Sequence, residues 1–280
     1  MAWDNTSVLQ ANEPYSSMKI AYTLTLFFAT AFLAYACSPG DQTSSSDSEN
    51  TPYVELSIEL LSNLKAGLAV ETQLSEYARI DLDRLSISLA HPNQKKAFWI
   101  NTYNGFIQYQ LKNDPALYQD RSAFFSKPRI NIGGELLSFD DIEHGILRAS
   151  ALKLSLGYLK NPFPPDIELK LRVSQIDERI HFVLNCGAAS CPPIGILSAD
   201  NFDHKVDQLA KSFLQSVSQF KKESNLVETT VLFSWFRGDF GGISGVRKTL
   251  IRYGILAEKS DARIEYLPYD WTLEVDHYVE

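Results

Sequence analysis

"NQKKAFWINTYNGFIQYQLKN", Asn93 to Asn113, is the longest helical signal in the chain. Ala97, Ile100, Tyr103, Asn104 and Ile107 fall close together at 3.6 residues per turn. His91-Pro92 precedes the stretch and Asp114-Pro115 follows it, and the residue before a proline avoids the helical region. Asn101 and Asn104, three apart, share one face. Asparagine is a poor helix former, so two inside an aromatic helix point to a buried polar network. Such a network clamps a neighbouring loop or lines a site, and a clamp is the simpler of the two.

Outward from this helix, periodicities alternate. "YVELSIELLSNLKAG" reads as a helix stopped at Gly67, and "RIDLDRLSISLA" as a second, shorter one. "RINIGGELLSF" is a hairpin turning at Gly133-Gly134. Ser138 and Asp141 then form a capping pair that opens a helix, with Asp140, His144 and Arg148 on one stripe and Glu143 beside it. "IELKLRV" and "RIHFVLNC" alternate and read as strands, the first at an edge behind a proline cluster. "FDHKVDQLAKSFLQSVSQF" and "GGISGVRKTLIRYG" are amphipathic helices, while "LVETTVLFSWF" and "ARIEYLPYDWTLE" begin as strands. Helices and strands mix without βαβα regularity. The expected class is α+β, a single domain of mixed helices with a small, mainly antiparallel sheet.

The chain has 280 residues, a net charge of −8, 45% hydrophobic and 21% charged residues, which is ordinary globular composition. With no basic stripe, nucleic acid is not an expected partner. Residues 1–37 read as a leader. Lys19 precedes the uncharged run "IAYTLTLFFATAFLAYA", and Met18 is the expected true start. The run is short for a transmembrane anchor, which needs about 20 apolar residues. Cys37 follows small residues at its end and resembles the lipidated cysteine of a bacterial lipoprotein, although Ala34 stands where leucine is usual. Residues 38–51 are a Ser-rich tether, and 52–280 form the domain. The expected location is the bacterial cell envelope, periplasm or outer membrane, with the membrane as a partner through the lipid or leader.

"KKAFWINTYN", "FDDIEHGILR", "RIHFVLNCGAASCPP", "SWFRGDF" and "YDWTLE" follow one another in this order. Together these blocks resemble the domain-of-unknown-function 547 family, over Leu56 to Glu280. The resemblance implies no established activity; it implies a fold similar to papain-like or transglutaminase-like proteins. The chain departs from the family pattern at the Pro-rich insertion from Asn161 to Asp166.

The chemistry centres on Cys186 and Cys191. As a nucleophile, Cys186 needs a base to reach the thiolate. His144, oriented by Asp140 or Glu143, is the preferred base. On a strand His181 faces away from Cys186. Asn185 and Asn101 are candidate orienting or oxyanion groups. The simpler reading of each histidine is a hydrogen-bonded structural residue. Alternatively, Cys186 and Cys191, enclosing four residues and exported, close as a disulfide. Their spacing is not that of thioredoxin-like redox motifs. A zinc site from Cys186, Cys191, His144 and His181 ranks last, because the histidines lack paired spacing; no metal or cofactor is expected. Arg237 and Asp239 read as an ion pair bracing a loop. Two function classes result. One is a thiol-dependent hydrolase or acyl-transfer enzyme acting on a peptide or amide. The other is a non-catalytic binding or scaffold lipoprotein with a structural disulfide.

Overall fold

The computed structural model describes residues 49–279. The leader, Cys37 and most of the tether lie outside the described residues. The chain runs α1 (Pro52–Lys65), α2 (Glu71–Ala78), α3 (Leu82–Ser88), α4 (Pro92–Asn113), α5 (Arg121–Ser126), and the hairpin β1 (Ile130–Ile132) and β2 (Glu135–Leu137). A π-helical turn (Asp141–Leu147), α6 (Asp166–Leu171) and a 3-10 turn (Glu178–Phe182) follow. The C-terminal part holds α7 (Phe202–Val217), β3 (Gln219–Lys221), β4 (Leu226–Thr230), α8 (Leu232–Trp235), α9 (Gly242–Arg252) and β5 (Arg263–Leu267). The fold is α+β. β1 and β2 pair antiparallel; β3 joins β4 antiparallel, and β5 joins β4 parallel, in register from Leu226↔Arg263 to Thr230↔Leu267. Among the described residues no helix is long and apolar enough to cross a membrane.

α4 is the central element because it is buried on nearly every side from Ala97 to Gln108. It begins where the sequence predicts: His91 caps it, its Nδ1 accepting from the Asn93 N–H while Gln94 reaches back to the His91 N–H. A helix buried all round has no solvent face, so its polar residues must find partners inside. The apolar interior forms two clusters. One packs α1 and α4 with the hairpin and the π-helical turn. The other packs the inner face of α7 with β4, α8 and α9. The segment 178–186 lies along their seam: Ile180, Val183 and Leu184 belong to the first cluster and Phe182 to the second.

Two expected strands are not strands. "RIHFVLNC" is a 3-10 turn followed by irregular chain, started by Asp177, whose carboxylate accepts from the Arg179 N–H. Every residue from Ile180 to Asn185 is buried, so its alternation marks no outward face. α4 replaces a partner strand: the Asn104 amide donates to the Val183 carbonyl at 2.9 Å and accepts from the Asn185 N–H at 2.8 Å. "IELKLRV" is mostly the short helix α6. It starts after Pro165, carries Asp166 and Glu168 in its first turn, and buries Glu168 and Leu171 at helical spacing.

Candidate functional site

Both cysteines are free thiols, Cys191 buried and Cys186 half-buried. Their sulfurs face one another at 2.7 Å. The Tyr269 hydroxyl bridges them, 3.4 Å from Cys186 Sγ and 3.1 Å from Cys191 Sγ, and the Cys186 N–H donates to Cys191 Sγ at 3.0 Å.

The local chain shapes this meeting. Asn185 closes both ends of the loop: its Oδ1 accepts from the Gly187 N–H and its Nδ2 donates to the Pro192 carbonyl, each at 2.9 Å. Gly187 turns at φ +86°, where a Cβ would also stand 2.6 Å from Leu111. The C-terminal segment backs the loop. Ala189 donates to Thr272, Ser190 to Asp270, and Glu274 to Gly187. All of these bonds depend on backbone groups that neither strand nor helix has consumed.

The paired thiols titrate together. The hydrogen bond to Cys191, then burial, pushes the Cys186 thiol well above its ordinary value. Burial also opposes ionisation of Cys191, but donors from Cys186 and Tyr269 outweigh it and hold that thiol low. Burial, followed by the two thiols, drives Tyr269 far upward, so its hydroxyl keeps its proton.

A second buried group surrounds Arg148, whose side chain is fully enclosed. Its Nε donates to Asp239 Oδ2 at 2.6 Å and its Nη2 to Oδ1 at 3.2 Å. Its Nη1 meets His144 Nδ1 at 2.8 Å. A guanidinium only donates, so Nδ1 accepts and the His144 proton sits on Nε2. His181 Nε2 donates to Asp239 Oδ2 at 2.8 Å, and its ring stacks on Phe236 at 3.8 Å. Arg148 lies over the same ring, 4.7 Å from its centroid. Burial, then Arg148, holds His144 well below the imidazole range, and burial brings His181 down to about 4. Asp239 is depressed to about 2: burial opposes ionisation, but His181 and Arg148 outweigh it.

Glu143 lies beside the histidine group, its Oε1 3.8 Å from His144 Nδ1. Tyr103 donates to its Oε2 at 3.3 Å, and burial raises its carboxyl to about 7. Tyr103 itself is raised by burial, then by Glu143, and also by charge on Cys186 and Cys191.

The structure thus sorts the expected site residues. It unites Cys186, Cys191 and Asn185 in one loop. His144 and His181 meet around Arg148 and Asp239, and among the described residues no hydrogen bond joins either histidine to a thiol. Asn101 is a clamp on α4, its amide donating to the Leu197 carbonyl and to Ser57 Oγ while its oxygen accepts from the Leu197 N–H. Asp239 does not pair with Arg237, which turns to Ser234. Its partners are Arg148 and His181, because the fold offers it a buried guanidinium. Cys37 lies outside the described residues. Cys186 stands in a loop and not at a helix N-terminus, so no helix dipole activates it. Among the described residues no group of three or more His, Cys, Asp or Glu is placed to hold a metal, and the four-residue zinc set does not assemble.

A cleft of about 560 Å³ opens beside Cys191 and Tyr269, between α7 and the ends of β4 and β5. Its walls include Ser190, Phe213, Ser216, Val231 and His277, a mixture of hydroxyl and apolar surface without carboxylates.

The sequence reading missed Tyr269, Tyr103 and the Arg148–Asp239 pair as members of these groups. Their signal was present as position within the quoted blocks "YDWTLE", "KKAFWINTYN", "FDDIEHGILR" and "SWFRGDF". No curated protein and no solved structure matches the chain, so the papain-like or transglutaminase-like link rests on the family resemblance. Residues 87–214 match the family model described as "Protein of unknown function, DUF547", a stretch holding Asn101, Glu143, His144, His181, Asn185, Cys186 and Cys191.

Proposed function

We propose that this chain is an exported, lipid-anchored binding protein of the cell envelope, in which Cys186 and Cys191 close as a disulfide bracing one wall of the cleft. The observation that carries this reading is the 2.7 Å approach of the two sulfurs while both histidines are engaged elsewhere. A thiol nucleophile needs a base within hydrogen-bond reach. Here the side-chain partners of each thiol are the other thiol and Tyr269. The cleft suits an uncharged, peptide-like ligand, with apolar walls and hydroxyl groups for orientation.

Closing a loop this short restricts the unfolded chain by about 2 kcal/mol. Oxidised protein is therefore expected to unfold at higher denaturant than protein held in reductant, by about that amount, with no change in slope. Equal midpoints would remove the brace.

One observation favours a second reading, a thiol-dependent hydrolase or acyl-transfer enzyme. Glu143, raised to about 7, accepts from Tyr103, whose hydroxyl also feels the charge of both thiols, so Tyr103 links a proton-holding carboxyl to the pair. That reading requires reduced protein to cleave peptide or amide substrates and Cys186→Ala to lose the activity while keeping its stability.

A further inference from the structure

Among the described residues, six of the twelve large apolar side chains left exposed fall between 152 and 169. Leu154 is 73% exposed, Tyr158 58%, Leu159 60% and Phe163 88%. Exposed apolar residues scattered singly need no explanation, but a contiguous patch does.

This segment is built, not frayed. Its backbone closes on itself: Leu152 donates to Leu159, Tyr158 to Ser155 and Asn161 to Ser150. Ser155 Oγ binds the carbonyls of Leu152 and Leu159. The inner side docks on the domain. The Gly238 N–H donates to the Leu156 carbonyl at 2.6 Å. A Cβ on Gly157 would strike Asp239 at 2.2 Å, and one on Gly238 would strike Gly157 at 2.5 Å, so two glycines let the backbones touch. The Tyr158 hydroxyl approaches Gly242, beside the exposed Ile243. Pro162, Pro164 and Pro165 stiffen the exit around Phe163. A rigid loop with its backbone bonds satisfied internally loses little entropy or hydration when its side chains enter an apolar phase.

We propose that residues 152–163, with Ile243, form a membrane-docking surface that inserts into the interfacial zone of a phospholipid bilayer. The inference rests in one respect on the lipid-anchored reading. The 14 residues of the tether separate Cys37 from the domain and extend to at most about 50 Å. A domain of about 230 residues has a radius of gyration of about 17 Å, so this tether lets any face reach the bilayer while holding it close. At such effective concentration a weak apolar contact is enough to set orientation. The composition fits: aromatic residues favour the headgroup boundary, and leucine and phenylalanine the acyl region just below it. Lys153 and Lys160 are already held by Asp140 and the Arg148 carbonyl, so the attraction is apolar more than electrostatic.

The test uses the full chain carrying Phe163→Trp, with the parent chain subtracted, in phosphatidylethanolamine–phosphatidylglycerol vesicles with and without brominated acyl chains. The substitution is at an exposed position and leaves the fold intact. The emission of the added indole is expected to shift to the blue on vesicles and to lose most of its intensity to the bromines. Mass spectrometry of the N-terminal peptide reports separately whether Cys37 carries lipid. An unquenched, solvent-like indole on chains lipidated at Cys37 overturns the docking surface and leaves the anchor standing. A quenched indole on chains whose Cys37 carries no lipid upholds the surface and overturns the anchor. Blue emission without vesicles overturns the docking surface, pointing to a second copy if it depends on concentration and to the chain's own N-terminal apolar run if it does not.

Discussion

Asp239→Ala is expected to destabilise the protein by about 3–5 kcal/mol, the cost of leaving a buried charge without its partner. Arg148 has no exposed side-chain surface, and Asp239 takes two of its hydrogen bonds and the His181 proton. Removing the carboxylate strands a guanidinium between Phe236 and His144 with no water to solvate it. For a domain of this size the loss corresponds to a melting temperature lower by roughly 10 °C. Asp239→Asn fails too, because three N–H donors converge on a group that then offers one acceptor oxygen. The double variant Arg148→Met with Asp239→Leu is expected to recover much of the loss, since an apolar replacement removes both charges together. Denaturant midpoints for the three variants test this, and a loss below about 1 kcal/mol in Asp239→Ala would show that the pair does not hold the seam.

The second large effect is on pH dependence. His181 and His144 are buried neutral, with folded values below the ordinary 6.5, so between about 4 and 6.5 the unfolded chain binds more protons at these positions. Their contribution is complete above 6.5 and is lost as pH falls. Glu143 acts oppositely: raised from 4.5 to about 7, it stabilises the fold below 4.5 and loses that contribution as pH rises through 7. Two histidines against one carboxyl leave a net uptake of about one proton on unfolding, so stability falls by roughly 1.4 kcal/mol per pH step between 6.5 and 4.5. Glu143→Gln removes the opposing group and is expected to steepen the slope towards two protons. Chemical denaturation at stepped pH measures it; a flat profile over this window would mean that one of the two histidines is protonated in the folded state, and a slope of the opposite sign that both are.

Much of this architecture was legible in the sequence, for local reasons. α4 and α7 follow from apolar spacing, the β1–β2 hairpin from Gly133-Gly134, and the turn after Ser138 from reciprocal bonds with Asp141. The clamp role of the asparagines on α4 was legible too, because a polar residue on a buried helix must find a partner. The segment 179–186 was misread because alternation reports a face only when one face meets water, and here neither does. The partners of Asp239 were hidden for another reason. Arg237 is two residues away in sequence, whereas Arg148 and His181 are 91 and 58 residues away. Tyr269 reaches the thiols across 83 residues. Spacing encodes which residues share an element, not which elements meet.

The most direct test of the account is the state of the two thiols. The full chain, recovered from the envelope and alkylated without reductant, is digested and the peptides containing Cys186 and Cys191 are mapped by mass spectrometry. The account predicts that neither sulfur is alkylated and that the two are linked to each other. Ready alkylation of Cys186 near neutral pH, with Cys191 slow, would contradict the brace and make the thiol-enzyme reading the one to pursue.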